Sequence, residues 1–188
     1  MDELRYQAQL IQWLLQDQQR MQILQIAANF CQKNHLNDWC LGAGFVRNLV
    51  WDHLHHYIDA VPLNDIDLIY FNPANLLEST DLQFEQELRK QFNINWSVKN
   101  QARMHRRNND LPYKNTANAM SYWPEMETAV GVLIRQNRLE IIAPFGLASL
   151  FAGHITLNPK RPKLEIFQQR IQHKRWLEKW PKLQIKLH

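Results

Sequence analysis

The chain has 188 residues, 45% of them hydrophobic, and a formal net charge of +4 at pH 7. This length and apolar content are enough for one sizeable core, so we expect a single domain over residues 1–188. The longest apolar stretch, residues 141–153, is interrupted by Pro144 and two glycines and is shorter than the roughly 20 residues of a membrane-spanning helix, which argues against a membrane protein or a membrane partner.

The start of the chain and its cysteines both point to the cytoplasm. Met1-Asp2-Glu3 is acidic, and no apolar segment with a small-residue cleavage site follows, so the start is unlike a signal peptide. Cys31 and Cys40 show neither metal-binding spacing nor a disulfide-framework pattern, and we expect both to stay thiols in a reducing compartment. We therefore predict a cytoplasmic protein.

The first predicted elements are two helices. Apolar residues recur at helical spacing through residues 3–33, with glutamines between them, and the pattern is interrupted near Asp17. We interpret residues 1–36 as a helical cover that packs on the core and keeps a polar outer face.

The middle of the chain is predicted to alternate strands and helices. A short strand at 38–41 leads into a helix that runs to about His56, followed by a buried strand at 66–71, a helix at 81–91 and a strand at 94–99. Two further strands, at 128–134 and 139–143, are joined by a turn at 136–138. This order predicts an α+β domain in which helices flank a small mixed β-sheet.

The end of the chain is basic. Residues 154–188 carry nine Lys and Arg against two Asp and Glu, whereas the rest of the chain carries 13 against 16. Such a tail is typical of contact with an anion such as a nucleic acid. Alternatively, residues 163–180 form a solvated basic helix whose apolar positions fall near one face.

The first candidate functional feature is the turn between the first predicted strand and the helix after it, formed by Gly42, Ala43 and Gly44. A glycine turn lets the backbone approach a phosphate, and the helix N-terminus offers it free N–H groups and a positive dipole end. Turns of this kind serve packing more often than binding, so the turn alone is a weak indication.

Asp65 and Asp67 open the next predicted strand and form the second feature. Side chains two residues apart on a strand point to the same face, so both carboxylates can converge on one cation. Two adjacent carboxylates repel each other, and Mg²⁺ bridging them to phosphate oxygens removes that cost. The alternative is a solvent-facing strand edge. The apolar residues between and after the two aspartates, and the preceding glycine turn, favour the metal site.

A basic segment follows the third predicted strand. Lys99 and Arg103 are candidates for contacts to the triphosphate or to an acceptor phosphate, because charge-assisted bonds to phosphate are strong. Arg106 and Arg107 are expected in a solvated loop. Trp123 lies in a long loop, where its ring either stacks on a base or caps the core.

These segments together resemble the nucleotidyltransferase superfamily. The stretch Gly44-Phe45-Val46-Arg47-Asn48 is similar to the Gly-x-Val-Arg-Asp stretch of tRNA nucleotidyltransferases and poly(A) polymerases. A bacterial family of uncharacterised nucleotidyltransferase-like proteins is a closer resemblance, carried by the block WSVKNQARMH at 96–105 and by the segments 123–125, 128–132 and 143–147. The resemblance implies a palm-like sheet, a glycine turn that touches the nucleotide phosphates, an Asp-x-Asp pair that holds two metals, and a third acidic residue on an adjacent strand.

The chain departs from this pattern at two places. Its turn has Ala43-Gly44 where the resemblance implies Gly-Ser or Gly-Gly, and Ser97 or Lys99 occupies the position of the third acid. The missing acid weakens activation of the attacking hydroxyl more than it weakens nucleotide binding. Glu140, on a later strand, fills the gap only if that strand lies beside Asp67.

We therefore expect a metal-dependent nucleotidyltransferase that moves a nucleoside monophosphate from a nucleoside triphosphate to a hydroxyl of a small molecule, a protein or an RNA. Asp65 and Asp67 would hold Mg²⁺ and, with Lys99, form the catalytic set. The expected nucleotide-binding residues are Gly42, Ala43, Gly44, Arg47, Asn48 and Arg103. The alternatives are a catalytically weakened nucleotide-binding or regulatory module on the same fold, and an RNA-binding protein that uses the basic tail. No sequence-specific reading of DNA is expected.

Overall fold

The structure is a computed structural model that describes residues 2–187. Its first two helices are α1 (Asp2–Gln16) and α2 (Gln18–Lys33). Asp17 joins them and caps α2, because its carboxylate accepts a hydrogen bond from the backbone N–H of Arg20. The apolar stripes seen in the sequence face inward, with Leu10 and Leu14 of α1 and Leu24 of α2 fully buried.

A five-stranded sheet lies at the centre of the fold. Its strands are β1 (Trp39–Gly42), β2 (Ile66–Tyr70), β3 (Trp96–Asn100), β4 (Gly131–Arg135) and β5 (Arg138–Ile142). They are arranged in the order β3-β2-β1-β4-β5. Strands β2 and β3 are parallel and the other neighbouring pairs are antiparallel. The predicted α+β class with a small mixed sheet is therefore confirmed.

The register of the sheet separates its two faces. Leu41, Leu68, Val98 and Val132 are in register across four strands and are fully buried. Helices α2 and α4 (Glu78–Gln91) pack on the sheet, against β4 and β3. The next row along the strands, Ser97, Asp67, Gly42 and Gly131, points to the opposite face because side chains alternate along a strand.

The remaining helices between the strands are short, apart from α3. They are α3 (Gly44–Leu54), α5 (Gln101–Asn108), α6 (Thr116–Met120) and α7 (Ala148–Phe151). The sequence predicted a loop at Arg106 and Arg107, but both are exposed residues of α5. Asn100 starts this helix by accepting a hydrogen bond from the N–H of Ala102, at 3.0 Å. Helices of eight residues or fewer are too short for their apolar period to be recognised.

The basic tail folds back onto α3. It contains β6 (His154–Thr156), α8 (Leu164–Lys174), α9 (Trp176–Lys179) and β7 (Gln184–Lys186), and β6 and β7 pair in parallel. The helix predicted for 163–180 is divided at Arg175, whose φ is +53°. The indole N–H of Trp180 donates to Asp52 Oδ1 at 2.7 Å, and His55 Nε2 accepts from the N–H of Lys182 at 2.9 Å. These bonds hold the tail against α3. Within residues 2–187, none of the helices is both long and apolar enough to span a bilayer.

Candidate nucleotide and metal site

The turn between β1 and α3 forms one wall of the site. The N–H of Ala43 donates to Val130 O at 2.9 Å, and the carbonyl of Ala43 accepts from the N–H groups of Val46 and Arg47. Ala43 has φ +51° and ψ −122°, a conformation that L residues rarely adopt. The sharp turn starts α3 at Gly44, and the first N–H groups of a helix have no acceptor within it. The N–H groups of Gly44 and Phe45 are thus suited to bind an anion.

Asp65 and Asp67 face the same pocket as this turn. Asp67 is on β2, opposite Gly42 of β1 and beside Ser97 of β3, and Asp65 immediately precedes the strand. Both line a pocket of about 190 Å³ together with Ala43 and Gly44, which we call the turn pocket. Burial, followed by the charge of Asp65, raises the pKa of Asp67, and a hydrogen bond with Ser97 opposes this shift. The structure thus brings together the two carboxylates and the turn.

The pair of carboxylates fits a divalent cation whose remaining ligands are water molecules or phosphate oxygens. Mg²⁺ commonly binds through one or two carboxylates plus the phosphates of a substrate. Within residues 2–187, no group of three or more His, Cys, Asp or Glu side chains is placed to hold a metal ion. Asp65 and Asp67 would therefore hold Mg²⁺ without a third Asp, Glu, His or Cys ligand from residues 2–187.

Arg47 is a buried cation at the wall of the turn pocket. Its guanidinium donates to Thr128 Oγ1 at 2.9 Å and to Asn48 Oδ1 at 3.0 Å. Its Cζ also lies 4.8 Å and 4.5 Å from the ring centres of Trp51 and Trp176. Burial lowers the pKa of Arg47 to about 10, so the side chain stays charged at neutral pH. The pocket therefore has a fixed positive charge that Asn48 helps to orient.

Helices α8 and α9 add three cations that the motifs did not assign to the site. Arg170, Lys174 and Lys179 line the turn pocket with the two aspartates. Lys174 is close enough for its charge to lower the pKa of Asp67. The charge imbalance of residues 154–188 was the sequence signal for this group, and the four-residue spacing of Arg170 and Lys174 places them on one side of α8. The basic tail thus turns some of its charge toward the aspartates.

A second, larger cleft of about 460 Å³ adjoins the turn pocket at Asp67, and we call it the β3 cleft. It shares Ala43, Asp67, Thr128 and Arg170 with the turn pocket. Its other lining residues are Ile69, Lys99, Gln101, Met104, Arg107, Asn108, Trp123, Pro124, Arg161 and Ile166. Trp123 thus borders an open cleft next to the aspartates.

The two cations predicted after the third strand have different positions. Lys99 lines the β3 cleft, with its Nζ 2.9 Å from Glu85 Oε1. Arg103 pairs with the fully buried Asp81, which also accepts a hydrogen bond from the Tyr70 hydroxyl at 2.7 Å. Arg103 lines neither pocket. Its position does not support the predicted role in nucleotide binding, because its charge neutralises a buried carboxylate.

Glu140 does not supply a third carboxylate beside Asp67. It lies on β5, which β1 and β4 separate from β2, and its Oε2 is 3.6 Å from Arg135 Nε. The direct neighbours of β2 are β1 and β3, and neither strand contains an Asp or Glu. Ser97 occupies the position next to Asp67.

Comparisons with known proteins agree with this fold. A family model described as nucleotidyltransferase matches residues 29–185. A solved structure described as an NMR structure that reveals a CCA-adding enzyme head domain is 30% identical, with a TM-score of 0.80 and 95% of each chain covered. A search of functionally curated proteins found no significant match.

Two larger enzymes share the fold at lower identity. A CCA-adding enzyme in complex with CTP is 15% identical, with a TM-score of 0.61, and the match covers 94% of this chain and 43% of that one. A CCA-adding enzyme in complex with ATP is 14% identical, with a TM-score of 0.57, and the match covers 94% and 41%. The chain thus spans less than half the length of these two enzymes.

Proposed function

Because the chain belongs to the nucleotidyltransferase family, we propose that it transfers a nucleoside monophosphate from a nucleoside triphosphate to a hydroxyl group, with Mg²⁺ held by Asp65 and Asp67. The observation that carries this proposal is the turn pocket, where the two carboxylates meet an anion-binding turn and a buried cation, Arg47. The CTP and ATP complexes of CCA-adding enzymes with the same fold support a nucleoside triphosphate as the donor.

The triphosphate would lie along the turn at the start of α3. The N–H groups of Gly44 and Phe45 would donate to its terminal phosphates, and the positive end of the α3 dipole favours the same charge. Arg47, Lys174 and Lys179 line this pocket and would offset the charge that develops on the leaving group. This arrangement favours a site in which catalysis comes from positioning and electrostatics.

The reaction is an in-line displacement at the α-phosphorus. The acceptor oxygen forms a bond to this phosphorus, the bond from it to the oxygen bridging to the β-phosphorus breaks, and pyrophosphate leaves with the electron pair. The hydroxyl proton is released to solvent. Mg²⁺, when bound, neutralises charge on the phosphate oxygens and lowers the barrier to attack. Asp65 and Asp67 would hold this ion.

A second candidate is a nucleotide-binding module without transferase activity. It is favoured by Ser97, which is next to Asp67 in the parallel pairing of β2 and β3, where the superfamily resemblance implies an acid. Without that acid, the group that activates the acceptor hydroxyl is weaker, whereas the groups that bind the triphosphate are unaffected.

Incubation with an α-labelled nucleoside triphosphate, Mg²⁺ and a small-molecule cell extract tests the proposal. We expect label transfer and pyrophosphate release by the wild type, their loss in Asp67→Asn, and no change in Lys182→Gln, since Lys182 lines neither pocket. Transfer by Asp67→Asn at the wild-type rate would contradict the proposal. Magnesium-dependent binding without transfer, together with transfer that appears in Ser97→Asp, would instead support the module.

A further inference from the structure

The β3 cleft is the opening through which an acceptor would approach. In the proposed reaction, the leaving pyrophosphate would lie in the turn pocket, beside the turn at the start of α3. In an in-line displacement, the attacking oxygen enters opposite the leaving group. The β3 cleft adjoins the turn pocket at Asp67 and extends to Lys99 of β3, which does not line the turn pocket. The attacking hydroxyl would therefore reach the α-phosphorus through this cleft.

Most cations in the lining of the β3 cleft are already paired with carboxylates. Asp67 is its only carboxylate among the described lining residues, and the lining contains four cations: Lys99, Arg107, Arg161 and Arg170. Three of these cations pair with carboxylates that do not line the cleft. The pairs are Lys99 with Glu85 at 2.9 Å, Arg161 with Asp110 at 3.4 Å and Arg170 with Glu125 at 2.7 Å.

Arg107 is the cation of this cleft whose charge is most available. It is exposed on α5, and within residues 2–187 no carboxylate is within ion-pair distance of it. A charged group at the mouth of a cleft without a partner of its own can bind an anionic ligand at little cost to the fold.

The walls and size of the β3 cleft favour a small ligand with an apolar ring. Apolar side chains make up a large part of the lining, namely Ile69, Met104, Trp123, Pro124 and Ile166. The ring of Trp123 lies over Gly42, because its Cη2 is 3.4 Å from where a Cβ would be at that residue. A volume of about 460 Å³ is in the range of clefts that hold one small molecule.

We propose that the β3 cleft binds the acceptor, and that the acceptor is a small phosphorylated hydroxyl compound with an apolar ring, about the size of a mononucleotide. The phosphate would meet Arg107, and the ring would lie against Trp123. This proposal rests on the proposed function, because the position of the leaving pyrophosphate decides which cleft the acceptor uses.

The test is an NMR titration that follows the indole N–H signal of Trp123, identified from its loss in Trp123→Phe. The turn pocket is first saturated with Mg²⁺ and a triphosphate whose α–β bridge is a methylene group. Adenosine 5′-monophosphate is then titrated as the probe. Adenosine is the uncharged control, and hexa-adenylate RNA is the macromolecular control. We expect saturable movement of the Trp123 signal with the monophosphate, and binding of adenosine at least about tenfold weaker.

Two neighbouring arginines on α5 provide a matched pair of variants. Arg107→Gln should weaken binding of the monophosphate by about tenfold, whereas Arg106→Gln should leave it unchanged, because Arg106 is exposed on the same helix but lines neither pocket.

Four results would overturn the proposal: no response of Trp123 to the monophosphate, equal binding of adenosine, equal effects of the two arginine variants, or much tighter binding of the RNA at this cleft. A separate titration with the triphosphate analogue alone isolates the proposed function. If the analogue binds in a magnesium-dependent manner and the monophosphate does not, only the acceptor assignment fails.

Discussion

Asp67 stands directly opposite Gly42 in the antiparallel pairing of β1 and β2. Because the glycine has no side chain, the ring of Trp123 can lie over it, with Cη2 3.4 Å from where a Cβ would be, and the small side chain of Ser97 is the neighbour of Asp67 on the other strand. Asp67 lines both the turn pocket and the β3 cleft. A donor in one and an acceptor in the other can therefore meet at this residue.

The two glycines next to each other in this row should respond differently to substitution. A Cβ on Gly131 would be 2.5 Å from Cys40 Sγ, whereas a Cβ on Gly42 would have its nearest contacts at 3.4 to 3.7 Å. Gly131→Ala should therefore lower the free energy of unfolding by about 2 kcal/mol, as overpacking of a core does. Gly42→Ala should lower the free energy of unfolding by less than half as much. Urea unfolding of both variants checks this, and equal losses would contradict the packing described here.

Replacing Ala43 by glycine should stabilise the fold, whereas an alanine-to-glycine substitution usually destabilises a protein. Its φ of +51° and ψ of −122° are accessible to glycine without strain. Ala43→Gly should raise the free energy of unfolding by up to about 1 kcal/mol, because relief of this strain exceeds the entropy that glycine adds to the unfolded chain. Ala28→Gly, in the interior of α2, is the control and should lower it by about 1 kcal/mol. If thermal unfolding shows that Ala43→Gly loses as much stability as Ala28→Gly, the turn is not strained.

Lys174 should contribute to binding of the triphosphate. It lines the turn pocket, and its charge acts on Asp67. Lys174→Gln should weaken magnesium-dependent binding of a nucleoside triphosphate by about tenfold, which corresponds to one charge-assisted contact. Lys182→Gln is the control, because it removes the same charge from the tail at a position outside both pockets. If calorimetry shows equal affinities for the two variants, the tail acts only through its net charge.

The raised pKa of Asp67 predicts how the effect of Asp67→Asn on stability depends on pH. Burial and the charge of Asp65 raise this pKa in the folded state. Ionisation of this carboxylate therefore lowers the free energy of unfolding. The loss is complete at a pH above the folded-state pKa and absent at a pH below the unfolded-state pKa. Asp67→Asn should be more stable than the wild type at neutral pH, by up to about 1 kcal/mol, and the gain should vanish as the pH falls through the acidic range.

Urea unfolding in the presence of a chelator, from about pH 3 to about pH 8, measures this difference. If Asp67→Asn is instead the less stable protein at neutral pH, the contacts of the ionised carboxylate, including the charges of Lys174 and Arg47, outweigh the cost of its burial. The carboxylate would then have a structural role.

The strands and the long helices could be predicted from the sequence because each has a clear apolar period. The strand at 66–71 and the helix that ends near His56 both occur in the structure, within a few residues of the predicted bounds. The short helices could not be predicted, since capping residues such as Asn100 define them more than any period does. The break at Arg175 depends on one residue with positive φ, and no motif indicates it.

Which candidate residues lie together was predictable where they are close in the sequence, and less so where they meet through folding. Asp65, Asp67 and the turn could be assigned together because one strand pair carries them. Lys174 and Lys179 come more than 100 residues later, and only the tail's charge pointed to them. The pairing of Arg103 with Asp81 could not be predicted for the same reason, because Asp81 lies on a different helix. Whether Glu140 completes the site depended on the order of the strands, which the sequence leaves open.

Calorimetric titration of a non-hydrolysable nucleoside triphosphate into the wild type and into Asp65→Asn, each with Mg²⁺ and with a chelator, tests the central claim most directly. Two carboxylates that face a triphosphate without a cation repel it, so removing Mg²⁺ should weaken binding to the wild type by more than about tenfold. In Asp65→Asn, the same removal should have a much smaller effect. Equal affinity of the wild type with and without Mg²⁺ would contradict the claim that Asp65 and Asp67 hold a metal beside a nucleotide.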